Sequence, residues 1–461
     1  MHVPLTPLAY TRALRGLICA VVVLVSLAAH SGAAAQEATD SMRAEVARLA
    51  TLVDSLSREV ARMGENGQTP EADDALARLR AAAAAAGGQP TTAERSEDVE
   101  FVGRQRSLQA LNPEISVSAD IFGHLNKDDV EEENFFPREF EVSLISNLDP
   151  FSRAKVFFSH HGAGAHIDPF EEAGDAGHAE EDEGGFELEE GYIEWVGLPG
   201  GLNLKLGKFF QQFGQLNRWH GHALPFQSRS LPHLAFIGEE SLAQTGASVH
   251  WLVPIGGRSG TYEATVEVTR SGNKALFGDA GDVSVLGHLN AFWNLSSSTD
   301  FDLGLSWIRG TYRDDDNAGD RDLYGAEMGF TWRPPGQSRY RGMTLRGGVM
   351  VLDGLISKGT PLPGGSASVF ADERALGWWS AGDLRLSQSW LVGGRVDRVE
   401  NPEDTNETAW VMSPTLTWWQ SEYVRLRLEY DLMDRSFISN KEGRLFLQVT
   451  LAMGPHKHET Y

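Results

Sequence analysis

Fourteen histidines and sixty-four acidic side chains give this chain most of its chemical options, and they are unevenly spread. His160, His161, His166 and His178 stand among Asp168, Glu171, Glu172, Asp175, Glu180, Glu181, Asp182 and Glu183, with no Lys or Arg between residues 159 and 186. Imidazole and carboxylate together are ligands for zinc, copper or nickel. The spacing fits no tight metal motif, which leaves two readings: a low-affinity, multi-site collector of divalent cations, or a solvated acidic loop. His220 and His222 form a His-x-His pair, as do His456 and His458. Two histidines that alternate on a strand point the same way, so either pair could serve as ligands or be ordinary surface histidines. Arginines form the second group. Arg346, Arg385, Arg395, Arg425, Arg427 and Arg444 all fall on the polar side of a two-residue rhythm. They make either a basic stripe along one wall or a set of separate pairs with Asp383, Asp397, Glu429 and Asp431.

That rhythm belongs to the elements that must hold these side chains. From Asn112 onward apolar and polar residues alternate, as in Ile115, Val117, Ala119 and Ile121 against Glu114, Ser116, Ser118 and Asp120, which gives each strand one oily and one wet face. Sixteen such segments begin near residues 113, 137, 150, 186, 202, 242, 261, 284, 300, 321, 342, 375, 390, 409, 423 and 443. Tight turns follow every even strand and longer polar loops every odd one. Trp293, Trp307, Trp332, Trp378, Trp418 and Trp419 are expected near strand termini, as interfacial girdles require. The fold class that follows is an all-β transmembrane barrel of about sixteen antiparallel strands, its short turns in the periplasm of a bacterial cell and its wall in outer-membrane lipid. Sixteen strands enclose a water-filled lumen.

Residues 1–35 have the form of a signal peptide: Arg12 and Arg15, an apolar run from Leu17 to Ala29, then Ala33-Ala34-Ala35. The one cysteine, Cys19, lies inside it, so no disulfide framework is expected in the mature chain. Residues 36–64 carry Met42, Val46, Leu49, Val53, Leu56, Val60 and Met63 at alternating spacings of four and three, the seam of a coiled-coil helix on the periplasmic side. The core residues favour a dimer and a trimer stays open; the same stripe also suits a helix packed on its own barrel. Residues 65–111 hold a second helix and a linker, and 112–461 the barrel. Of the formal charge of −24, residues 1–111, with 11 basic and 13 acidic side chains, contribute only −2, so the barrel region carries −22. Such a surface repels nucleic acid.

The third long loop, residues 209–241, holds Phe209, Phe210, Phe213 and Trp219. A loop with this many aromatics folds inward rather than hanging in water. Glu239 and Glu240 are then expected to face the arginines across a constriction and to select by charge and size.

Two stretches carry a family resemblance. Gly207-Lys208-Phe209-Phe210 with Gln212-Phe213-Gly214 and Asn217 resembles the phosphate-selective porin O/P family, and Leu111-Asn112-Pro113-Glu114-Ile115 after a coiled coil is similar to such porins and their outer-membrane relatives. The acidic His-rich loop, Asn217 to His222, Gly238-Glu239-Glu240 and Gly454-Pro455-His456 are similar to a group of proteins named for zinc-regulated outer-membrane uptake. The resemblance implies a trimeric channel. The acidic barrel departs from anion selectivity, and residues 112–461 are too few for a plugged 22-stranded receptor. The expected function is passive diffusion of small polar solutes or ions with charge selectivity; the alternatives are metal uptake or sensing, and a tether between membrane and cell wall. No nucleophile elbow or triad logic points to an enzyme, and no cofactor is expected beyond weakly bound divalent cations.

Overall fold

The computed structural model describes residues 113–126, 134–162, 169–170, 186–239, 241–254, 260–314, 317–357 and 370–454. The signal peptide, coiled coil, second helix and linker lie outside them. Strands β1 (Glu114–Asn126) to β16 (Glu442–Met453) follow one another around a closed antiparallel barrel, each paired with its sequence neighbours, and β1 closes on β16 with Val117 opposite Met453 and Asn126 opposite Arg444. Closure leaves no edge strand, so the ladders pair the wall's backbone groups with one another rather than with water.

The two-residue rhythm is the reason these segments form strands. In β14 (Thr408–Trp419) the buried residues Ala409, Val411, Ser413, Thr415 and Thr417 face inward while Trp410, Met412 and Leu416 are exposed on the outer surface. Exposed apolar side chains recur on the outside of nearly every strand, among them Val266, Leu289, Leu305, Met328, Leu345 and Leu447. Along β14 this band runs from Trp410 to Trp418, roughly 20 Å measured along the membrane normal for a strand tilted about 40°. Trp390 lies beside Trp418, with ring centroids 6.2 Å apart, and Trp378 beside Trp410, 5.3 Å apart, so each pair marks one rim.

Two expectations need correction here. Trp307 and Trp378 are not near strand ends but at mid-strand in β9 (Thr299–Asp314) and β12 (Phe370–Arg385). These strands, with β10 (Asn317–Trp332) and β11 (Gly342–Ser357), are 16 residues long and continue past the rim. The alternation of short turns and long loops also breaks at β9–β10, where Asp314 pairs with Asn317 in a tight hairpin. Arg313, Asp314 and residues 317–320, which read as loop by composition, are ladder beyond the lipid band; on the outer face of this hairpin Arg309 reaches Asp322 at 3.3 Å and also Asp320, exposed pairs worth little energetically.

The lumen is not filled with water throughout, contrary to expectation. Its long-loop half holds an apolar core: Leu286, Ile308, Leu323, Met350, Leu352, Val399, Val411, Met433 and Phe446 point in from the wall, and Phe213, Leu231, Phe236, Ile237, Leu242, Leu276 and Phe277 come from two inserted loops. The physical reason is mutual: aromatic loop residues need burial, and the wall turns apolar on that half of its inner face. Burying one phenylalanine ring contributes about 2–3 kcal/mol.

Candidate functional site: the loop inside the barrel

Residues 211–242, between β5 (Leu202–Phe210) and β6 (Ala243–Leu252), cross the lumen as two 3-10 turns, Leu216–Arg218 and Gly221–Ala223, and the helix α1 (Leu231–Phe236). The loop closes at its neck. Gln211 N–H donates to Leu242 O at 2.9 Å, and Asn217 completes the clamp by donating to Gln211 O and accepting from Leu242 N–H, both at 2.8 Å. Arg229, buried, is an internal strut: it donates to Leu216 O at 2.6 Å and Trp219 O at 2.8 Å, and also reaches Ser241. Pro232 of α1 seats against the wall at Gly377, where an added Cβ would lie 2.7 Å from the proline ring, so only glycine admits the helix this closely. The second insert, α2 (Lys274–Phe277), hangs from the first, since Asn273 donates to Ile237 O at 2.8 Å.

An irregular loop inside a barrel must find partners for backbone groups that water would otherwise serve. Charged wall side chains do this. Arg395 donates to Ser228 O at 2.7 Å, Arg427 to Leu224 O at 3.1 Å, and Arg425 to Leu224 O at 3.3 Å and to His222 O at 2.5 Å. Wall carboxylates take the loop's N–H groups: Asp397 from Leu231 at 3.0 Å, Glu429 from Gln227 at 2.9 Å, Glu327 from Gln215 at 2.7 Å and Glu267 from Gln212 at 3.2 Å. Arg138 joins Gln227 O to Asp120.

The six arginines singled out by sequence do share the inner face, and each is engaged there by a group other than the two expected glutamates. Arg395, Arg425 and Arg427 are engaged with loop carbonyls. Arg444 pairs with Glu442, Arg346 with Asp383 at 3.7 Å beneath the Trp219 ring, and Arg385 donates to Gln388 O at the short-turn rim. Glu239 is exposed beyond α1, and Glu240 lies outside the described residues. Toward the short-turn end the inner face stays half-exposed and of mixed charge, with Lys205, Glu263, Asp302, Arg346 and Asp383.

Of the metal-ligand candidates, His166 and His178 fall outside the described residues. His160 and His161 end β3 (Ser152–His161), His160 against Phe186 and His161 beside Ser159 at 3.0 Å, and neither joins a ligand cluster among the described residues. His220 and His222 come together not on a strand but in a loop turn. His220 Nδ1 lies 2.7 Å from Glu141 and 3.1 Å from Glu189, its Nε2 3.4 Å from Glu190, and His222 Nδ1 3.0 Å from Glu139. Gly221 between them passes so close to the wall that a Cβ would meet Glu139 Oε2 at 2.8 Å. Burial opposes charge on both rings, yet for His220 the carboxylates of Glu141 and Glu189, and for His222 that of Glu139, outweigh it and raise the imidazole pKa, well above 6.5 for His220. His233 behaves in the opposite way: burial, with Arg229 and Arg395 nearby, pushes its pKa down to about 3, and Ser230 Oγ lies 2.6 Å from its Nδ1.

Sequence reasoning missed Asn217 as a clamp, Arg229 as a strut, and the carboxylates on β2 (Asn134–Asn147) and β4 (Glu187–Leu198) as partners of the loop. One signal was readable: Glu139, Glu141, Glu189 and Glu190 mark wet faces that needed a partner inside the barrel.

Solved porins share this architecture. OprB of Pseudomonas putida, in a high-pH structure, superposes with a TM-score of 0.51 at 12% identity, covering 76% of this chain and 96% of that one. An anion-selective porin from Comamonas acidovorans gives 0.50 at 10% identity, over 74% and 99%. At such identities the likeness establishes the porin fold and no more. A curated protein of Aquifex aeolicus (strain VF5), described as uncharacterised, is 30% identical over 161 residues, 34% of this chain. The matched stretch spans 29% of that relative's own length. No family model matches the sequence.

Proposed function

We propose that the chain is a porin-type channel of the bacterial outer membrane, passing small polar solutes or ions by passive diffusion, with the third loop as its constriction. The observation that carries this is the docked loop: a closed barrel with a lipid-type exterior whose charged inner wall fixes the backbone of one loop across the lumen. A chain built only to anchor something in the membrane has no use for such a loop. The half-exposed ring of Lys205, Glu263, Asp302, Arg346 and Asp383 on the short-turn side of the loop then sets charge preference. The protein works as a homo-oligomer, a trimer in the reading the sequence resemblance favours.

The test is planar-bilayer conductance of the refolded full chain beside a variant with residues 215–236 replaced by a short Gly-Ser linker. The wild type should show discrete low-conductance steps and the variant steps several-fold larger. Absence of channel events in both proteins, once each is verified as folded in detergent, would end the channel reading.

A further inference from the structure

The turn His220–His222 meets the wall at a place that hydrogen bonding alone does not complete. Glu139 and Glu141 sit on the inner face of β2, Glu189 at the irregular start of β4, and His220 descends onto them from the loop. One ligand atom from each of the four lies within 4.8 Å of every other. Glu141 is 1% exposed, and its Oε1 accepts no hydrogen bond among the described residues. The nearby guanidinium groups are turned to other work, Arg138 to Asp120 and Gln227 O, and Arg229 to the carbonyls of Leu216 and Trp219. Three carboxylates held this close and largely buried repel one another, and the two imidazoles do not satisfy them: His222 serves Glu139, while Glu141 and Glu189 share the single Nδ1 of His220.

We propose that Glu139, Glu141, Glu189 and His220 bind a divalent cation that pins the third loop to the barrel wall. The donor set of one imidazole nitrogen and three carboxylate oxygens suits a first-row transition ion such as zinc, manganese or cobalt, rather than the all-oxygen shell of calcium. The neighbours are placed to support it: His222 contacts Glu139 at 3.0 Å, and Glu190 accepts from Phe210 N–H at 2.8 Å, which fixes the strand end beside the site. Bonds of about 2.0–2.2 Å need the four donors to draw together by small side-chain rotations, which neutralising their charge would favour. The ion acts as a fastener for the constriction, so this inference does not depend on what the channel conducts.

The experiment uses full-length protein refolded in detergent and stripped with EDTA. Zinc is titrated against a chromophoric chelator, and cobalt is followed by its visible absorption. The expected result is one tight site with a cobalt spectrum, weakened tenfold or more in Glu141→Gln and His220→Gln and unchanged in the double variant His160→Ala, His161→Ala. Heat-modifiable migration on gels checks that each variant has folded; should His220→Gln fail to fold, Glu141→Gln, nearly the same in shape, decides. The proposal is overturned if binding is weak and multi-site, if both ligand variants bind as wild type does, or if only the double His160/His161 variant loses metal. Conductance recorded on the same samples keeps the two failures distinct, since a protein that conducts and binds no metal refutes the fastener alone.

Discussion

His233 shows how a single side chain is conditioned by the loop it belongs to. It lies wholly buried in α1, with Ser230 at its Nδ1, Glu327 3.9 Å from its Nε2, and Arg229 and Arg395 near enough to oppose a positive charge. Its pKa of about 3 in the folded loop lies below the ordinary value of about 6.5, so the ring is neutral when packed and takes up a proton only when released. The sign follows: the contribution of His233 to loop packing is at full strength above about pH 6.5 and weakens as pH falls from there toward 3, by up to about 1.4 kcal/mol per pH unit, opposite in sign to that of His220 and His222. Channel-current noise should therefore rise between pH 7 and pH 4. His233→Gln, which keeps a polar group beside Ser230, should lack that part of the rise; equal noise profiles for variant and wild type would show that other groups govern the acid response. None of this could be read in the sequence, where His233 stands between Pro232 and Leu234 and nothing announces a buried helix.

At the scale of elements, the strands were legible and the loop only in outline. Alternation set the sixteen segments, and β5, β11 and β13 (Trp390–Glu400) begin at the residues expected. Where β10 and β12 start earlier, at Asn317 and Phe370, the strands rise beyond the lipid band, and there both faces are wet and the rhythm fades. The aromatic content of residues 209–241 showed that the loop folds inward, but its partners come from strands up to about two hundred residues away, and one sequence does not encode such pairings locally. Asn217 illustrates the gap: it read as part of a short motif, and the structure makes it the clamp at the loop neck. Asn217→Ala should leave the N–H of buried Leu242 short of its acceptor, at a cost of about 1–3 kcal/mol, while Gln211 O keeps the N–H of Phe213 at 2.8 Å. The expected outcome is faster tryptic cleavage at Arg218 and Arg229 in the folded, detergent-held protein. An unaltered cleavage rate would mean that the wall arginines and carboxylates hold the loop without the clamp.

For the molecule as a whole, the decisive property is the asymmetry of its two ends. One end carries the connections after β2, β4, β6, β8, β10, β12 and β14, most of them tight, and leaves the start of β1 and the end of β16 beside them; the other carries the long loops, including the two that fold into the lumen. Outer-membrane barrels keep their short turns in the periplasm and send their longer loops outward, which is the orientation expected for these two ends. That orientation also fixes which side of the constriction a solute meets first: it encounters the apolar packing of α1 and α2 before the mixed-charge ring. Single cysteines test it cleanly in a background where Cys19 is Ser, because the chain has no other thiol. Asn406→Cys, exposed between β13 and β14, should react with a membrane-impermeant maleimide on intact cells, while Glu422→Cys, exposed in the turn between β14 and β15, should react only after the outer membrane is opened. Labelling at both positions on intact cells would deny the membrane-spanning arrangement, and labelling at Glu422→Cys alone would turn the molecule over and reverse the order in which its constriction and charged ring are met.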